Sequence, residues 1–488
     1  MVEEKHSSVY STCSRGLVRK ECGVSGRSTL KAVAVALGFL GGVSAGALTG
    51  GALSTAQAET IAESLALAYA NNPTLNAARA QLRSVDEGVP QALAGWRPTI
   101  TASGSAGRVA VDTGSRSSTY YTNNASISLS ISQTLFNGFQ TVNSTRQAEA
   151  LVQAQREGLM ATEQDTLLDA ASAYVDVIRD SALVSLQRSD LKFLQEQVRA
   201  ARDRFDVGEG TRTDVSQAEA RAAEARANLN TALANLNTSR AIYRQVVGIE
   251  ARKLSADTSI SRYVPKSLEE ALQISEAQQP LIRQAQHLVD AALFNVKQNE
   301  GELLPQVTLD GSVSRDWNPS SSTAISDSAQ IFGNVSIPLY QAGSVSSQVR
   351  QAKEDLGQTR LQLDVTRDQI RANVISAWGN YQAAEASIVA AQAAVEAQQL
   401  ALEGVIEEQR VGQRTTLDVL DAQRELVTQQ ANLVTAQRNR IIGGYQLVAA
   451  IGHLDAGSLG LNVARYDPAK HYKAVRDKWF GLRTPDGR

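Results

Sequence analysis

Val411-Gly412-Gln413-Arg414-Thr415, closely followed by Asp418-Val419, lies 204 residues after Val207-Gly208-Glu209-Gly210-Thr211, which is followed in the same way by Asp214-Val215. The same offset also pairs Tyr174 with Trp378 and Gly248 with Gly452. One unit has therefore been duplicated, and its best-preserved part is a glycine turn that opens an acidic helix. A duplication of this kind predicts an architecture built around an axis or along a line.

The N-terminal region has the features of a secretory leader. A basic segment precedes an uncharged run over residues 32–58, which ends in Ala56-Gln57-Ala58. This pattern predicts that residues 1–58 are a signal peptide with an N-terminal extension and that cleavage occurs before Glu59. The run is also long enough for a retained membrane anchor, but its many glycines and the Ala-x-Ala end favour cleavage.

Composition excludes several classes of protein. Both cysteines, Cys13 and Cys22, lie inside the leader, so the mature chain offers no disulfide, thiolate nucleophile or cysteine metal site. Loss of residues 1–58 moves the formal charge from −2 to −5, and no basic tract remains for a nucleic-acid partner. Aromatic residues make up only 5% of the chain and prolines number ten, which suits long helices better than large globular cores.

Each repeat contains a long stretch without proline, over residues 138–205 and 343–410. In the first, apolar residues recur at alternating steps of three and four, the period of coiled-coil packing, at Leu191, Leu194, Val198, Ala201 and Phe205. Such a helix would be about 100 Å long. After the turn glycines, which allow a left-handed stop, a second helix runs back over residues 213–248 or 416–452. Shorter helices are expected over residues 61–71, 73–94, 268–278 and 280–303, with Asn72 capping Pro73.

Between the short and long helices the period changes to two. Residues 99–111, 127–131, 305–314 and 331–339 alternate between apolar and polar side chains, and serine-rich loops are expected over residues 112–124 and 318–329. Strands of about ten to twelve residues with one apolar face are typical of a transmembrane β-barrel. Four strands cannot close one, whereas three protomers would supply twelve. The alternative is a small sheet that caps a soluble coiled coil, although four aromatic residues expected at the barrel rim favour the membrane: Tyr120, Tyr121, Trp317 and Phe332.

The chain resembles the TolC-like outer-membrane efflux proteins over nearly its whole mature length. The resemblance rests on residues 411–415 and 418–422, on Pro338-Leu339-Tyr340 and on Gly343, with weaker counterparts in the first repeat. It implies a mainly α fold with a small β part, in which a trimeric twelve-stranded barrel in the outer membrane of a Gram-negative bacterium continues as a helical coiled-coil barrel across the periplasm. The two repeats are assigned to residues 59–262 and 263–452, and the C-terminal tail, residues 453–488, is expected outside the tunnel midway.

The resemblance also implies partners and site residues. A periplasmic adaptor and an inner-membrane transporter of RND or ABC type would complete the exporter, with outer-membrane lipid around the barrel. Asp418 and Asp421 would form the pore constriction, although Gln217 stands opposite Asp421 in the first repeat. Two further sets of residues are implied. The gate would be tied by Arg414, Asp214 and Thr213, and the adaptor would dock on the turns at Val207, Gly208, Val411 and Gly412.

The residues themselves leave simpler interpretations open. Thr415 with Asp418, and Thr211 with Asp214, fit a helix capping box, so either aspartate could be purely structural. Gln409 takes a position near the turn where a tyrosine can contribute to closure. The four histidines include no pair at metal-ligand spacing, and no serine lies in a nucleophile elbow, so we expect neither an enzyme nor a cofactor. The main hypothesis is a passive duct for efflux of small toxic compounds or drugs, or for type I protein secretion. The alternatives are a secreted periplasmic coiled-coil scaffold without a pore and an enzyme on a helical frame.

Overall fold

The computed structural model describes residues 59–111, 120–255, 260–320 and 323–487. The predicted signal peptide lies outside these residues, as do residues 112–119 and 321–322 of the two predicted strand loops. The helices of the first repeat are α1 (Ile61–Asn71), α2 (Pro73–Asp86), α3 (Gly88–Leu93), α4 (Gln140–Asp206) and α5 (Arg212–Val247). Those that follow are α6 (Leu268–Gln278), α7 (Pro280–Gly301), α8 (Ser344–Arg410), α9 (Thr416–Ala450) and α10 (Pro468–Val475). The strands are β1 (Thr99–Val111), β2 (Tyr120–Asn137), β3 (Gln306–Ser320) and β4 (Thr323–Ser336).

The predicted duplication is confirmed. Helices α4 and α8 each contain 67 residues, and both their first and their last residues are 204 apart. Each long helix begins after two residues with left-handed backbone, Gly138 and Phe139 in the first repeat and Ala342 and Gly343 in the second. At the standard rise per residue, each helix is about 100 Å long. Two helical hairpins, α4–α5 and α8–α9, thus form the bulk of the chain.

The predicted helix over residues 73–94 is interrupted. Its start is as expected, because the Asn72 side-chain oxygen accepts hydrogen bonds from the backbone N–H groups of Thr74 and Leu75. Helix α2 nevertheless ends at Asp86, and α3 leads into a short 3-10 turn at Ala94–Trp96. Gly88 and Pro90 explain the break, since glycine weakens a helix interior and proline cannot donate its i to i−4 bond. The equivalent helix α7 has neither residue in its interior and is continuous.

The largest core lies where α1, α2, α4, α5 and α9 meet, around the fully buried Tyr174 and Tyr243. Smaller clusters lie along the hairpins. The predicted coiled-coil positions Leu191, Leu194 and Val198 pack there against Ala218. Helix α8 is much less covered than α4, and five of its large apolar side chains are exposed in the single chain. Among the described residues, no helix is both long enough and apolar enough to cross a membrane.

The four strands form one antiparallel sheet in the order β1-β2-β3-β4. Cross-strand register places Ile100, Ile131, Gly311 and Ile331 in one row across the sheet. The rows on the same face carry further apolar residues, whereas the opposite face carries serine pairs such as Ser103 with Ser128, whose hydroxyls are 2.7 Å apart. The predicted division into an apolar and a polar face is therefore present.

The strands differ from the prediction in length and at their ends. They contain 13, 18, 15 and 14 residues, so much of the two stretches expected to be loops is paired strand. Serine, threonine and asparagine obscure the alternation there, yet their backbones still join the ladder. The last strand ends at Ser336, before Ile337 and Leu339, because Pro338 cannot donate a ladder hydrogen bond. Phe332 lies opposite Asp310, on the face of the sheet that carries the serine pairs and not on the apolar face.

Candidate functional site

The turns between the helices of each hairpin have the same geometry. Gly208 and Gly412 have φ values of 83° and 79°, so the predicted left-handed stops are confirmed. In the second turn the N–H of Gly412 donates to the carbonyl of Gln409 at 3.0 Å, and that of Gln413 donates to Glu408 at 2.9 Å. This pair of bonds is a Schellman motif, and the first turn has the same pair. Val207 and Val411, one residue before each glycine, are both 71% exposed, so each turn presents one apolar side chain.

Both predicted capping boxes are present. The Asp418 carboxylate accepts hydrogen bonds from the backbone N–H and the hydroxyl of Thr415, each at 2.8 Å. These bonds hold the pKa of Asp418 below its usual range, because they stabilise the ionised form. Asp214 and Thr211 repeat the arrangement in the first hairpin. Each aspartate thus stabilises the start of its returning helix. This capping role is compatible with a role in the pore.

Arg414 lies in the turn between the helices of its hairpin and bonds back to α8. Its Nε donates to Glu408 Oε2 at 2.8 Å, a contact that raises the pKa of Arg414, with a further contribution from Asp418. Gln409 reaches across the same turn to the hydroxyl of Thr416 at 3.3 Å. Within one chain, these bonds of Arg414 include neither Asp214 nor the exposed Thr213. The predicted contact of Arg414 with a neighbouring hairpin, which would hold the gate closed, therefore stays a prediction.

Asp421 makes a contact that the sequence did not reveal. Its carboxylate accepts a hydrogen bond at 2.8 Å from Nη2 of Arg221, which lies on α5 in the first hairpin. The same guanidinium bonds Glu224 at 3.1 Å. The available sequence signal was weak: Gln217 aligns with Asp421, and Arg221 follows Gln217 by one helical turn. The charge of Asp421 is thus partly balanced within its own protomer.

A second contact joins the hairpins deeper in the chain. Gln423 donates from Nε2 to Asp190 Oδ1 at 2.9 Å, and both side chains are buried. Burial raises the pKa of Asp190, while the bond from Gln423 opposes that rise. Leu420 packs into the apolar cluster of the first hairpin beside Leu194. These contacts line a groove of about 240 Å³ between the hairpins.

The arrangement suits an electrostatic role. Asp418 and Asp421 lie three residues apart on one face of α9, close to the turn. Ionised carboxylates held in this way attract cations and disfavour anions. In the part of the chain that the structure describes, no three His, Cys, Asp or Glu side chains are grouped so as to hold a metal ion.

Comparison with known proteins agrees with this architecture. The family described as outer membrane efflux protein matches residues 65–248 and 271–453, one match in each repeat. The outer membrane efflux protein BepC of Brucella suis biovar 1 (strain 1330) is 46% identical over 450 residues, which cover 91% of this chain and 97% of BepC. The outer membrane protein TolC of Escherichia coli (strain K12) is 28% identical over 433 residues, covering 85% and 87% of the two chains.

A solved structure shows the same fold. The Campylobacter jejuni CmeC outer membrane channel superposes with a TM-score of 0.72 at 15% identity, over 86% of this chain and 89% of that one. The family and the fold are those of channel proteins.

Proposed function

The chain belongs to the outer membrane efflux protein family, and on that premise we propose that three copies close their sheets into one barrel of twelve strands. The protein is an outer-membrane channel of an export system and extends into the periplasm. Its open sheet carries the proposal of a trimer. Strands β1 and β4 are both edges, and lipid cannot satisfy the backbone groups that an edge exposes. Because the sheet has an even number of strands, β4 of one copy meets β1 of the next in antiparallel orientation.

The exposed face of α8 supports the same assembly. Five large apolar residues on this helix fall on positions that alternate in steps of three and four, the seam of a coiled coil. They are Leu361, Val365, Ile375, Val389 and Leu400. Their exposure in a single chain is accounted for if a neighbouring protomer covers them, which would continue the barrel as a helical tunnel.

The hairpin turns are the proposed docking site for a periplasmic adaptor, which would connect the channel to an inner-membrane transporter of RND or ABC type. The exposed Val207 and Val411, together with their turn glycines, offer small and apolar surface at the far end of each hairpin. Cargo would be small toxic compounds or proteins secreted by a type I system. The duct itself performs no chemistry.

Replacing Gly412 with isoleucine is expected to prevent adaptor docking while the assembled channel persists. A β-branched residue resists positive φ, at a cost of about 1–3 kcal/mol, and the turn must deform. Gly412→Asn is the matched control, since asparagine tolerates the left-handed backbone. The measurement is in-cell crosslinking to the adaptor together with drug export. Unchanged crosslinking after bulky replacement of both Gly208 and Gly412 would place the docking site elsewhere.

We further propose that Asp418 and Asp421 form the acidic constriction. Three protomers would bring six carboxylates around one axis, and such crowding would raise some of their pKa values, opposing the lowering that Thr415 causes in each chain. Arg414 would help to hold the closed state through a neighbouring hairpin that includes Thr213 and Asp214. Its replacement by alanine should therefore increase the open fraction of the channel.

Replacing both aspartates with asparagine should weaken cation preference in planar bilayers. We expect block by divalent cations to weaken about tenfold, which corresponds to about 1.4 kcal/mol. Asp355→Asn, an exposed site far from the turn on α8, is the control and should change neither property. Intact trimers with unchanged ion selectivity in the double variant would leave Asp418 as a helix cap only.

The alternative function, a soluble coiled-coil scaffold, has a simple discriminating experiment. A scaffold would remain in the soluble fraction of a detergent-free extract. The channel would sediment with the outer membrane.

A further inference from the structure

The C-terminal tail runs along α4 toward the sheet. The N–H of Ala456 donates to Glu163 at 2.8 Å, whereas the hydroxyl of Tyr472 and the guanidinium of Arg476 contact Glu149 at 3.2 and 3.5 Å. Glu149 is 14 residues closer to the start of α4 than Glu163, which is about 21 Å along a helix. Since α4 begins immediately after β2, the tail extends closer to the sheet than the midway position expected from the sequence.

The end of the tail is fixed at the level where the sheet begins. Arg97 donates from Nη1 to the carbonyl of Lys478 at 2.7 Å, and its guanidinium lies 5.1 Å from the ring centre of Trp479. Arg97 is two residues before Thr99, the first residue of β1, which pairs with Ser132. Trp479 is therefore held close to the first rung of the ladder, on the side of the helices.

The tail is also clamped from below. His471 Nδ1 lies 2.9 Å from Asp86 Oδ2 on α2, and both side chains are largely buried. The guanidinium of Arg156 lies over the ring of Tyr472 at 5.2 Å. These contacts make the position of Trp479 a property of the fold and not of a free end.

After its contact with Arg97, the C-terminal tail forms a tight loop with an apolar tip. The Lys478 ammonium donates to the carbonyl of Arg483, and Gly481 turns the backbone with a φ of 113°. Between these ends Trp479, Phe480 and Leu482 are 65%, 90% and 103% exposed. Three large apolar side chains exposed on one closed loop are unfavourable in water, because water is ordered around apolar surface that nothing covers.

The charge of this segment differs from that of the rest of the mature chain. Residues 465–488 contain seven basic and three acidic residues, in a protein whose predicted mature form is acidic. Lys478 and Arg483 stand directly beside the apolar tip. Apolar side chains with flanking cations are typical of protein segments that bind the surface of anionic membranes. Tryptophan is enriched at the same membrane–water interface.

We propose that the loop over residues 478–483 is a lipid anchor, which places Trp479, Phe480 and Leu482 among the phospholipids of the periplasmic leaflet of the outer membrane. Lys478 and Arg483 contact the lipid phosphates. The loop lies at the helix-side end of the sheet, the level at which the bilayer around the barrel would end. The tail thereby sets the depth and tilt of the channel from outside the barrel. The proposal depends on the outer-membrane location of the channel and not on the adaptor or on the acidic constriction.

A neighbouring protomer is the competing occupant. Leu339 and Tyr340 follow the end of β4 and are almost fully exposed in the single chain. If β4 of one copy pairs with β1 of the next, those two residues lie near the Trp479 of the adjacent copy. Lipid is favoured because the loop is flanked by cations, which an apolar contact between protomers does not require.

Spin labels separate these occupants. Residues 59–488 contain no cysteine, so single variants Phe480→Cys and Leu482→Cys can each carry one nitroxide in the processed channel, reconstituted in phosphatidylethanolamine and phosphatidylglycerol vesicles. We expect oxygen to relax both labels severalfold more, relative to a water-soluble nickel complex, than it relaxes the control label Ala474→Cys. Ala474 is exposed on α10 but lies outside the loop.

Each other result contradicts the anchor. Labels at 480 and 482 that are accessible to the nickel complex lie in water, and labels accessible to neither relaxant are buried against a neighbouring protomer. Ile331→Cys, on the apolar face of the sheet, reports insertion of the barrel itself. If Ile331 reads lipid while both loop positions read water, only the anchor is wrong. If Ile331 also reads water, the membrane channel fails with it.

Discussion

Replacing Gly301 with valine is expected to eliminate the folded channel. The end of α7 and the start of α4 touch through their backbones, so a Cβ on Gly301 would lie 2.3 Å from the carbonyl oxygen of Gly138. A Cβ on Gly138 would in turn lie 2.1 Å from the Gly301 oxygen, at a position whose φ is already 63°. Backbone atoms cannot yield as a side chain can, so the loss in unfolding free energy should exceed about 3 kcal/mol.

The measurement is the yield and thermal stability of purified protein. Gly88→Ala is the matched control, because nothing lies within 4 Å of its added Cβ and its φ is not positive. The control should leave stability unchanged or raise it by about 0.5–1 kcal/mol, since alanine suits a helix better than glycine. If even Gly301→Ala were as stable as this control, the close approach of the two backbones would be wrong.

Replacing Val389 with aspartate is expected to prevent assembly. Val389 lies in the middle of the exposed seam on α8 and is 68% exposed in the single chain. In the proposed trimer it would be covered, so every protomer would bury an unpaired carboxylate. A buried charge left without a partner costs about 3–5 kcal/mol at each site. The symmetry of the assembly repeats that cost three times.

The mass of the detergent-extracted protein measures this effect. Val389→Leu keeps the apolar character and approximate size of the side chain, so it should assemble as the unmodified chain does. An aspartate variant that forms stable oligomers as readily as the leucine variant would show that α8 faces solvent in the assembly.

Local features were predictable from the sequence because they depend on residues close together in the chain. The left-handed turn at Gly412 and the capping of α9 by Thr415 and Asp418 each involve fewer than ten consecutive residues. The two-fold repeat was equally visible, because its turn residues recur at a constant offset of 204 in the sequence. The strand ends were predicted less accurately, since serine-rich segments lack the apolar alternation that marks a strand, although their backbones pair equally well.

Contacts between the two hairpins could not be predicted. Arg221 with Asp421 and Asp190 with Gln423 are pairs 200 and 233 residues apart. These pairs depend on the relative axial position of the two long hairpins, which no local sequence pattern predicts. The repeat also concealed a difference: Gly138 aligns with Ala342, although a Cβ at position 138 would meet the backbone of Gly301.

The mass of the native channel, extracted from outer membranes in detergent and measured by native mass spectrometry, tests the central claim most directly. Four strands with two open edges require other copies, and the account predicts about three times the mass of the processed chain. A stable, monodisperse monomer in the same extract would contradict it, because the sheet would then have to satisfy its edges within one chain.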